Sequence, residues 1–293
     1  MKKLLLTTFT TSFFLFFSCE NTFHNFDAER SDAIEEDTDD LGDADIITEP
    51  VQNLKVEMNE KNVLSCRLTF TTQEKEKIFV KYYSKTHKGY EISENIEKTD
   101  HYFFLWGMKA QTTYNIEIYS ADNPDKPIET TVFQTGILPE TVPYTFLAVN
   151  EKEKVLDGFV LYTYSATVEE KAVPIAMMLD TDGEVVWYFE YYQAGYSIFN
   201  DLQYIDKTKT IQISIIKGFN MEDIPAEEAI EIDLEGNIVW KAPAIANVYG
   251  DEKSWNHIYE RLNDDSIVIL KYEPDLPYQT ERIINLDKDY NEL

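Results

Sequence analysis

Leu179-Asp180-Thr181-Asp182-Gly183-Glu184-Val185-Val186-Trp187 returns as Ile232-Asp233-Leu234-Glu235-Gly236-Asn237-Ile238-Val239-Trp240, and a third time as Leu286-Asp287-Lys288-Asp289-Tyr290-Asn291-Glu292-Leu293. The leading Asp advances by 53 residues and then by 54. Each copy reads as a hairpin: an apolar strand, an Asp-led turn whose Gly accepts positive φ, and a second strand closing on Trp. Asp180, Asp182 and Asp233 are therefore turn formers rather than catalytic carboxylates. Between the copies lies a weaker hairpin. Asn200 to Ile213 aligns with His257 to Ile269, with the turns Asp206-Lys207-Thr208-Lys209 and Asn263-Asp264-Asp265 at matching places. Two hairpins per period make a four-stranded unit, the blade of a β-propeller. The broad indoles of Trp187 and Trp240 suit the gap between two packed blades.

Composition agrees with an all-β protein. Of 293 residues 43% are hydrophobic, and 19 Tyr and 17 Phe stand against only 10 Gly and 10 Pro, which favours strands over disorder. The length suits roughly two domains. With 26 Lys+Arg against 54 Asp+Glu the net charge is −28, and no basic patch interrupts it. Such a chain repels polyanions, which excludes nucleic acid as a partner.

The start of the chain has its own signals. Residues 1–18 read as an export signal: Lys2 and Lys3, then an apolar run from Leu4 to Phe17 that is too short for a spanning helix. Ser18 before Cys19 resembles the lipobox of bacterial lipoproteins, with Phe16 where that motif usually has Leu. The resemblance implies lipidation of Cys19, a membrane anchor through lipid, and a place in the bacterial cell envelope, periplasmic or at the cell surface. Lipidation of Cys19 leaves Cys66 without a disulfide partner. From Glu20 to Glu49 there are twelve acids and one base, Arg30, so residues 19–49 read as an acidic disordered tether. Asp37, Asp39 and Gly42 are spaced like the opening of a calcium loop. Leu41 takes a ligand position and Thr48 stands where the bidentate Glu belongs, so no metal site is expected.

Alternation begins where the acidic run stops. Leu64, Cys66, Leu68 and Phe70 share one strand face, which makes Cys66 a core thiol; Ile78, Val80 and Tyr82, then Tyr114, Ile116 and Ile118, mark two further strands. Leu105-Trp106-Gly107-Met108-Lys109-Ala110-Gln111-Thr112-Thr113-Tyr114 resembles the entry to strand F of a fibronectin type III domain, with Ala110 where Pro is frequent. Thr131-Val132-Phe133-Gln134-Thr135 resembles the last strand of such domains. The resemblance implies a β-sandwich over residues 50–138 with Tyr114 as a tyrosine corner. His87, in a polar turn, and His101, at a strand start, have no ligand or catalytic partner at useful spacing. The propeller portion spans 144–293.

The Asp-x-Asp-Gly-x-Val-Val-Trp pattern is followed downstream by Trp255-Asn256-His257-Ile258-Tyr259-Glu260-Arg261-Leu262-Asn263-Asp264-Asp265-Ser266-Ile267-Val268-Ile269-Leu270. Together they resemble the bacterial arylsulfate sulfotransferases, which also carry a β-sandwich before a propeller. That family typically has His-His where Asn256 and His257 stand, and Asn-Gly where Asp264 and Asp265 stand. The resemblance implies sulfuryl transfer from an aryl sulfate to a phenolic acceptor through a sulfohistidine, without a nucleotide donor. It assigns His257 to contact with the sulfuryl group as donor or acid, and Asn256 to substrate binding as a donor unable to shuttle a proton. No phosphate loop, CxxC or HExxH implies a cofactor.

Two readings follow. A closed ring of this kind takes about six blades, and residues 144–293 supply roughly two and a half at this period, so the chain reads as the N-terminal portion of such an enzyme. No His follows His257, so the nucleophile is unassigned and this chain alone is expected to be inactive. The alternative is a non-catalytic surface lipoprotein that binds carbohydrate or protein.

Overall fold

The structure, a computed structural model, describes residues 49–87, 89–149, 151, 154, 157–193, 196–217, 226–241, 255–262, 266–273, 280–287 and 293; within these, the side chains of 196–198, 200, 217, 226–228, 255–258, 271–273, 280 and 281 are not described. The export signal, Cys19 and the acidic tether lie outside the described residues. The described chain is all-β, with antiparallel sheets and no α-helix. It forms two compact units that part between Pro139 and Glu140.

Among its described residues the first unit has seven strands. These are β1 (Val51–Met58), β2 (Cys66–Glu76), β3 (Ile78–Tyr83), β4 (Tyr90–Ser93), β5 (Lys98–Leu105), β6 (Thr113–Ser120) and β7 (Glu129–Gln134). They pair as a three-stranded sheet, β1-β2-β5, and a four-stranded sheet, β4-β3-β6-β7. Alternation read from the sequence holds: Leu64, Cys66, Leu68, Ile78, Val80, Tyr82, Tyr114, Ile116 and Ile118 are all buried. Burial pushes the Cys66 thiol up to about 12, which keeps it protonated and inert. The Tyr82 hydroxyl of the four-stranded sheet donates to Trp106 O, just past β5, at 2.7 Å. Lys109 N donates to the Tyr114 hydroxyl at 3.0 Å, the back-bond that a tyrosine corner requires. The turn it spans is pinned from the far side by Thr135, whose hydroxyl donates to Lys109 O at 2.6 Å.

Among its described residues the second unit has ten strands in three sheets, each a meander in chain order. The first holds β8 (Val160–Val168), β9 (Lys171–Leu179) and β10 (Val185–Glu190); the second β11 (Tyr196–Ile205), β12 (Thr210–Lys217), β13 (Ala226–Asp233) and β14 (Ile238–Lys241); the third β15 (Trp255–Arg261), β16 (Ile267–Glu273) and β17 (Thr280–Leu286). The repeated motif has one local structure. Asp180 Oδ1 accepts from Asp182 N and Glu184 N at 3.0 and 2.9 Å, and Gly183 sits at φ 76°. In the second copy Asp233 Oδ1 accepts from Asn237 N at 2.8 Å, and Gly236 sits at φ 83°. A Cβ at Gly183 would also stand 2.6 Å from the Leu147 side chain, so this position needs glycine twice over. Each copy then bulges at its middle Val. Val186 is the extra residue between the pairs Val185↔Leu179 and Trp187↔Met178, and Val239 the extra one between Ile238↔Ile232 and Trp240↔Glu231. A bulge re-aims the residue that follows it, and in both copies that residue is Trp.

The tryptophans join neighbouring sheets. Trp187 is fully buried, and its indole N–H donates to Leu234 O in the motif turn of the second sheet at 2.7 Å. Trp240 stacks on Tyr259 of the third sheet with ring centroids 5.9 Å apart.

The β8–β9 hairpin is closed by Glu169 and Glu170 at φ 48° and 64°. Two consecutive positive φ values make a type I′ turn, for which Asn-Gly is preferred and a β-turn of two Glu is strained. Glu169→Asn with Glu170→Gly is expected to stabilise the second unit by about 1–2 kcal/mol, read as a higher urea midpoint. An unchanged midpoint would show that the turn stores no strain.

Candidate functional site

Strand β11 borders β8 and β9 of the preceding sheet and β15 of the following one. The first strands β11 and β15 share an irregularity. From Tyr196 to Leu202 strand β11 uses six steps against four on β12, Lys217 to Ile213. From Trp255 to Tyr259 strand β15 uses four steps against two on β16, Lys271 to Ile269. Each therefore carries two extra residues, and both do so just before a buried core residue, Leu202 or Tyr259. Asn256 and His257 lie within the extra span of β15. Their backbone is strand; their side chains lie outside the described residues. Asn200 is the bulged residue between Phe199 and Asp201 on β11. Paired bulges of this kind turn side chains away from the regular alternation, a common device beside functional sites.

Between the second and third sheets runs a buried polar stripe that the sequence did not announce. Gln212, Ser214 and Glu231 are 3%, 1% and 2% exposed, set among the buried Ile211, Ile213 and Ile215 of β12 and Ile230 and Ile232 of β13. Arg261 reaches across from β15: its Nη1 lies 2.9 Å from Glu231 Oε2 and its guanidinium 5.7 Å from the Trp240 ring centroid. A buried carboxylate needs such a partner. Arg261 is thereby held against Glu231 through one of its five N–H donors. Tyr259 donates its hydroxyl to Ile230 O at 2.7 Å. Burial, then the Glu231 charge, hold that phenol well above its usual range, so it stays protonated.

Asp201 ends this stripe on β11. Burial raises its carboxyl above the ordinary range, partly offset by a bond from Leu202 N to Oδ1 at 3.0 Å. Sequence reasoning passed over it because an Asp in a strand carries no spacing signal; only the bulge at Asn200 places it. An acid with a raised folded pKa binds its proton more tightly when folded, so it opposes folding once pH rises through its carboxyl range. Asp201→Asn is thus expected to stabilise the second unit at neutral pH, with the gain fading as pH falls below that range. Equal gains at neutral and acid pH would refute the assignment.

In the first unit His101 occupies a structural place. Its ring is buried, stacked on Phe70 at 4.8 Å between centroids, with Nδ1 2.5 Å from Glu94 Oε1 and Nε2 3.0 Å from Thr72 Oγ1. The Thr72 hydroxyl donates to Glu74 O at 2.7 Å, so it accepts from His101 Nε2–H. Sequence spacing missed the Glu94 partner because a loop after β4 brings it there. Among the described residues no group of three or more His, Cys, Asp or Glu could hold a metal ion, and no helix is long and apolar enough to cross a membrane. No protein-family model matches the sequence, and no curated protein matches it.

Proposed function

We propose that residues 144–293 form consecutive blades of a β-propeller, that residues 50–138 form a fibronectin III-like sandwich, and that the propeller serves sulfuryl transfer from an aryl sulfate to a phenol. Support for the blades comes from three meander sheets packed in chain order, each motif Trp reaching the next sheet. Support for the sandwich comes from seven strands split three and four, with β1, β2 and β5 grouped apart from β3, β6 and β7, and from the Tyr114 back-bond.

One observation carries the functional reading: the first strands of two successive sheets hold the same two-residue excess, and in β15 the excess falls on Asn256-His257. Imidazole is the side chain that can donate to a sulfuryl oxygen or hand a proton to a departing phenolate near neutral pH. In this reading His257 contacts the sulfuryl group and Asn256 donates without shuttling a proton. The nucleophile stays unassigned, since the sequence has no His after His257. The second reading, a lipid-anchored surface protein binding carbohydrate or protein without catalysis, is favoured by Asn256, which removes one titratable imidazole.

Binding separates them. Titration of the chain with 4-nitrophenyl sulfate is expected to give saturable binding that His257→Ala weakens at least tenfold. It should also tighten as ionic strength rises, because the net charge of −28 repels the anion at long range. Binding unaffected by His257→Ala would remove that residue from the site, and no binding at all would leave the non-catalytic reading.

A further inference from the structure

His101 sits in a buried polar chain that ties the two sheets of the first unit together. Its strand β5 belongs to the three-stranded sheet, whereas Glu94 follows β4 of the four-stranded sheet and is fixed to the start of β3. Glu94 N donates to Ile78 O at 3.0 Å, and Ile78 N donates to Glu94 Oε1 at 3.2 Å. Lys98 Nζ lies 2.7 Å from the other oxygen, Oε2. The carboxylate therefore accepts from His101 Nδ1, 2.5 Å from Oε1. The second ring nitrogen donates too. Thr72 uses its single hydroxyl proton on Glu74 O at 2.7 Å, so it meets Nε2, 3.0 Å away, as an acceptor. With both nitrogens donating, the ring in this arrangement is an imidazolium. Thr72 also stands beside an irregularity. Past the pair Thr71↔Asp100, β2 takes five steps to Glu76 where β5 takes two to Lys98, so three residues of β2 are in excess, and the Thr72–Glu74 bond closes that bulge.

We propose that His101 is a proton-operated clasp: with both ring nitrogens protonated it joins the β2 bulge to the Glu94 loop, and loss of the Nε2 proton to solvent turns the Thr72 hydroxyl from Glu74 O to Nε2 and releases the bulge. The direction follows from counting protons. Nδ1 keeps its own, because the carboxylate opposite it only accepts. Nε2 then presents a lone pair, and the Thr72 hydroxyl, 3.0 Å away, supplies the donor. One hydroxyl proton cannot serve two acceptors, so the Glu74 carbonyl loses its bond. Phe70, stacked on the ring at 4.8 Å between centroids, holds the imidazole in plane, so the small hydroxyl rotates rather than the ring. Glu94 and Lys98 are the charges at Nδ1; of the bulge residues, Glu74 and Lys75 are exposed and Glu76 is half-buried, and Asp100, the neighbour on β5, lies on the opposite face. Since the folded arrangement favours the doubly protonated ring, its contribution is present on the acid side and is lost as pH rises through the titration of Nε2. The assignment does not depend on the sulfuryl-transfer reading.

The test is a titration of the isotope-labelled full chain by nuclear magnetic resonance, from about pH 5 upward until Nε2 loses its proton, with the His101 ring assigned by its loss in His101→Gln. At the acid end both ring nitrogens are expected to carry protons, and Nδ1 to keep its own throughout. The Glu74 carbonyl and the Lys75 amide, which share a peptide group, are expected to shift with the same midpoint as Nε2. Thr72→Val keeps the side-chain shape without the hydroxyl and should abolish the shift at Glu74 and Lys75; Thr72→Ser should restore it, a response that a purely structural Thr72 would not give. The titration of the unaltered chain stands without either variant. A ring that holds a single proton at about pH 5, a titration of Nε2 to which Glu74 does not respond, or a Glu74 shift that survives in folded Thr72→Val would each overturn the proposal.

Discussion

Trp187→Ala is expected to remove about 3–5 kcal/mol from the stability of residues 140–293. The side chain is fully buried and its N–H is bonded to Leu234 O, so truncation opens a cavity between the first and second sheets and strips a carbonyl of its partner. The two effects separate. Trp187→Phe keeps most of the ring volume and loses the hydrogen bond, and is expected to cost about 1–3 kcal/mol. Since the chain has two compact units, a single unfolding transition is not assumed; the measure is amide exchange of β9 and β13, which should quicken while β2 and β6 in the first unit keep their rates. Equal effects in both units, or a loss below about 1 kcal/mol for Trp187→Ala, would mean that the indole does not bind the two sheets together.

Arg261→Ala is expected to cost about 3 kcal/mol, because it leaves the Glu231 carboxylate buried without its counter-charge. The loss is larger than the pair's own worth. A double variant, Arg261→Ala with Glu231→Gln, should recover most of it, since a neutral amide in that place needs no counter-charge. Arg261→Lys keeps a cation but not the flat group that lies over Trp240, so it should fall between. Raising salt should weaken the native pair less than an exposed one, because the Glu231 side chain is only 3% exposed. If the double variant were as unstable as Arg261→Ala, the Arg side chain would matter through packing and not through its charge.

Much of this unit was legible in the sequence because its turns are local. An Asp followed by a Gly three residues later closes a hairpin through bonds that span at most four residues, and both described copies do so in the same way. The alternation of Cys66, Leu68 and Phe70 was legible for a similar reason: a strand with one buried face repeats every two residues. The tryptophans announced themselves as inter-sheet residues through size alone. Other features were not legible. The motif looks like uninterrupted strand through Val185-Val186-Trp187, yet one residue is bulged out, and nothing in two consecutive valines says so. Glu231 reads as a solvent-facing residue among Ile230 and Ile232, yet it is buried because Arg261, thirty residues on, arrives from another sheet. Of the partners of His101, Thr72 comes from a neighbouring strand 29 residues away and Glu94 from the loop seven residues before it.

By itself the sequence determined the strand class, the period of 53 residues, the Asp-Gly turns and the burial of Cys66, all of which rest on interactions between near neighbours or on simple two-residue alternation. Only the tertiary structure decided that Asn256 and His257 sit in a span of two extra residues matched on β11, that Asp201 is part-buried, and that Glu231 loses its water. The reason is physical: a bulge and a desolvated carboxylate are each defined by what a second strand or sheet brings alongside, and that choice is made by packing across dozens of residues rather than along the chain.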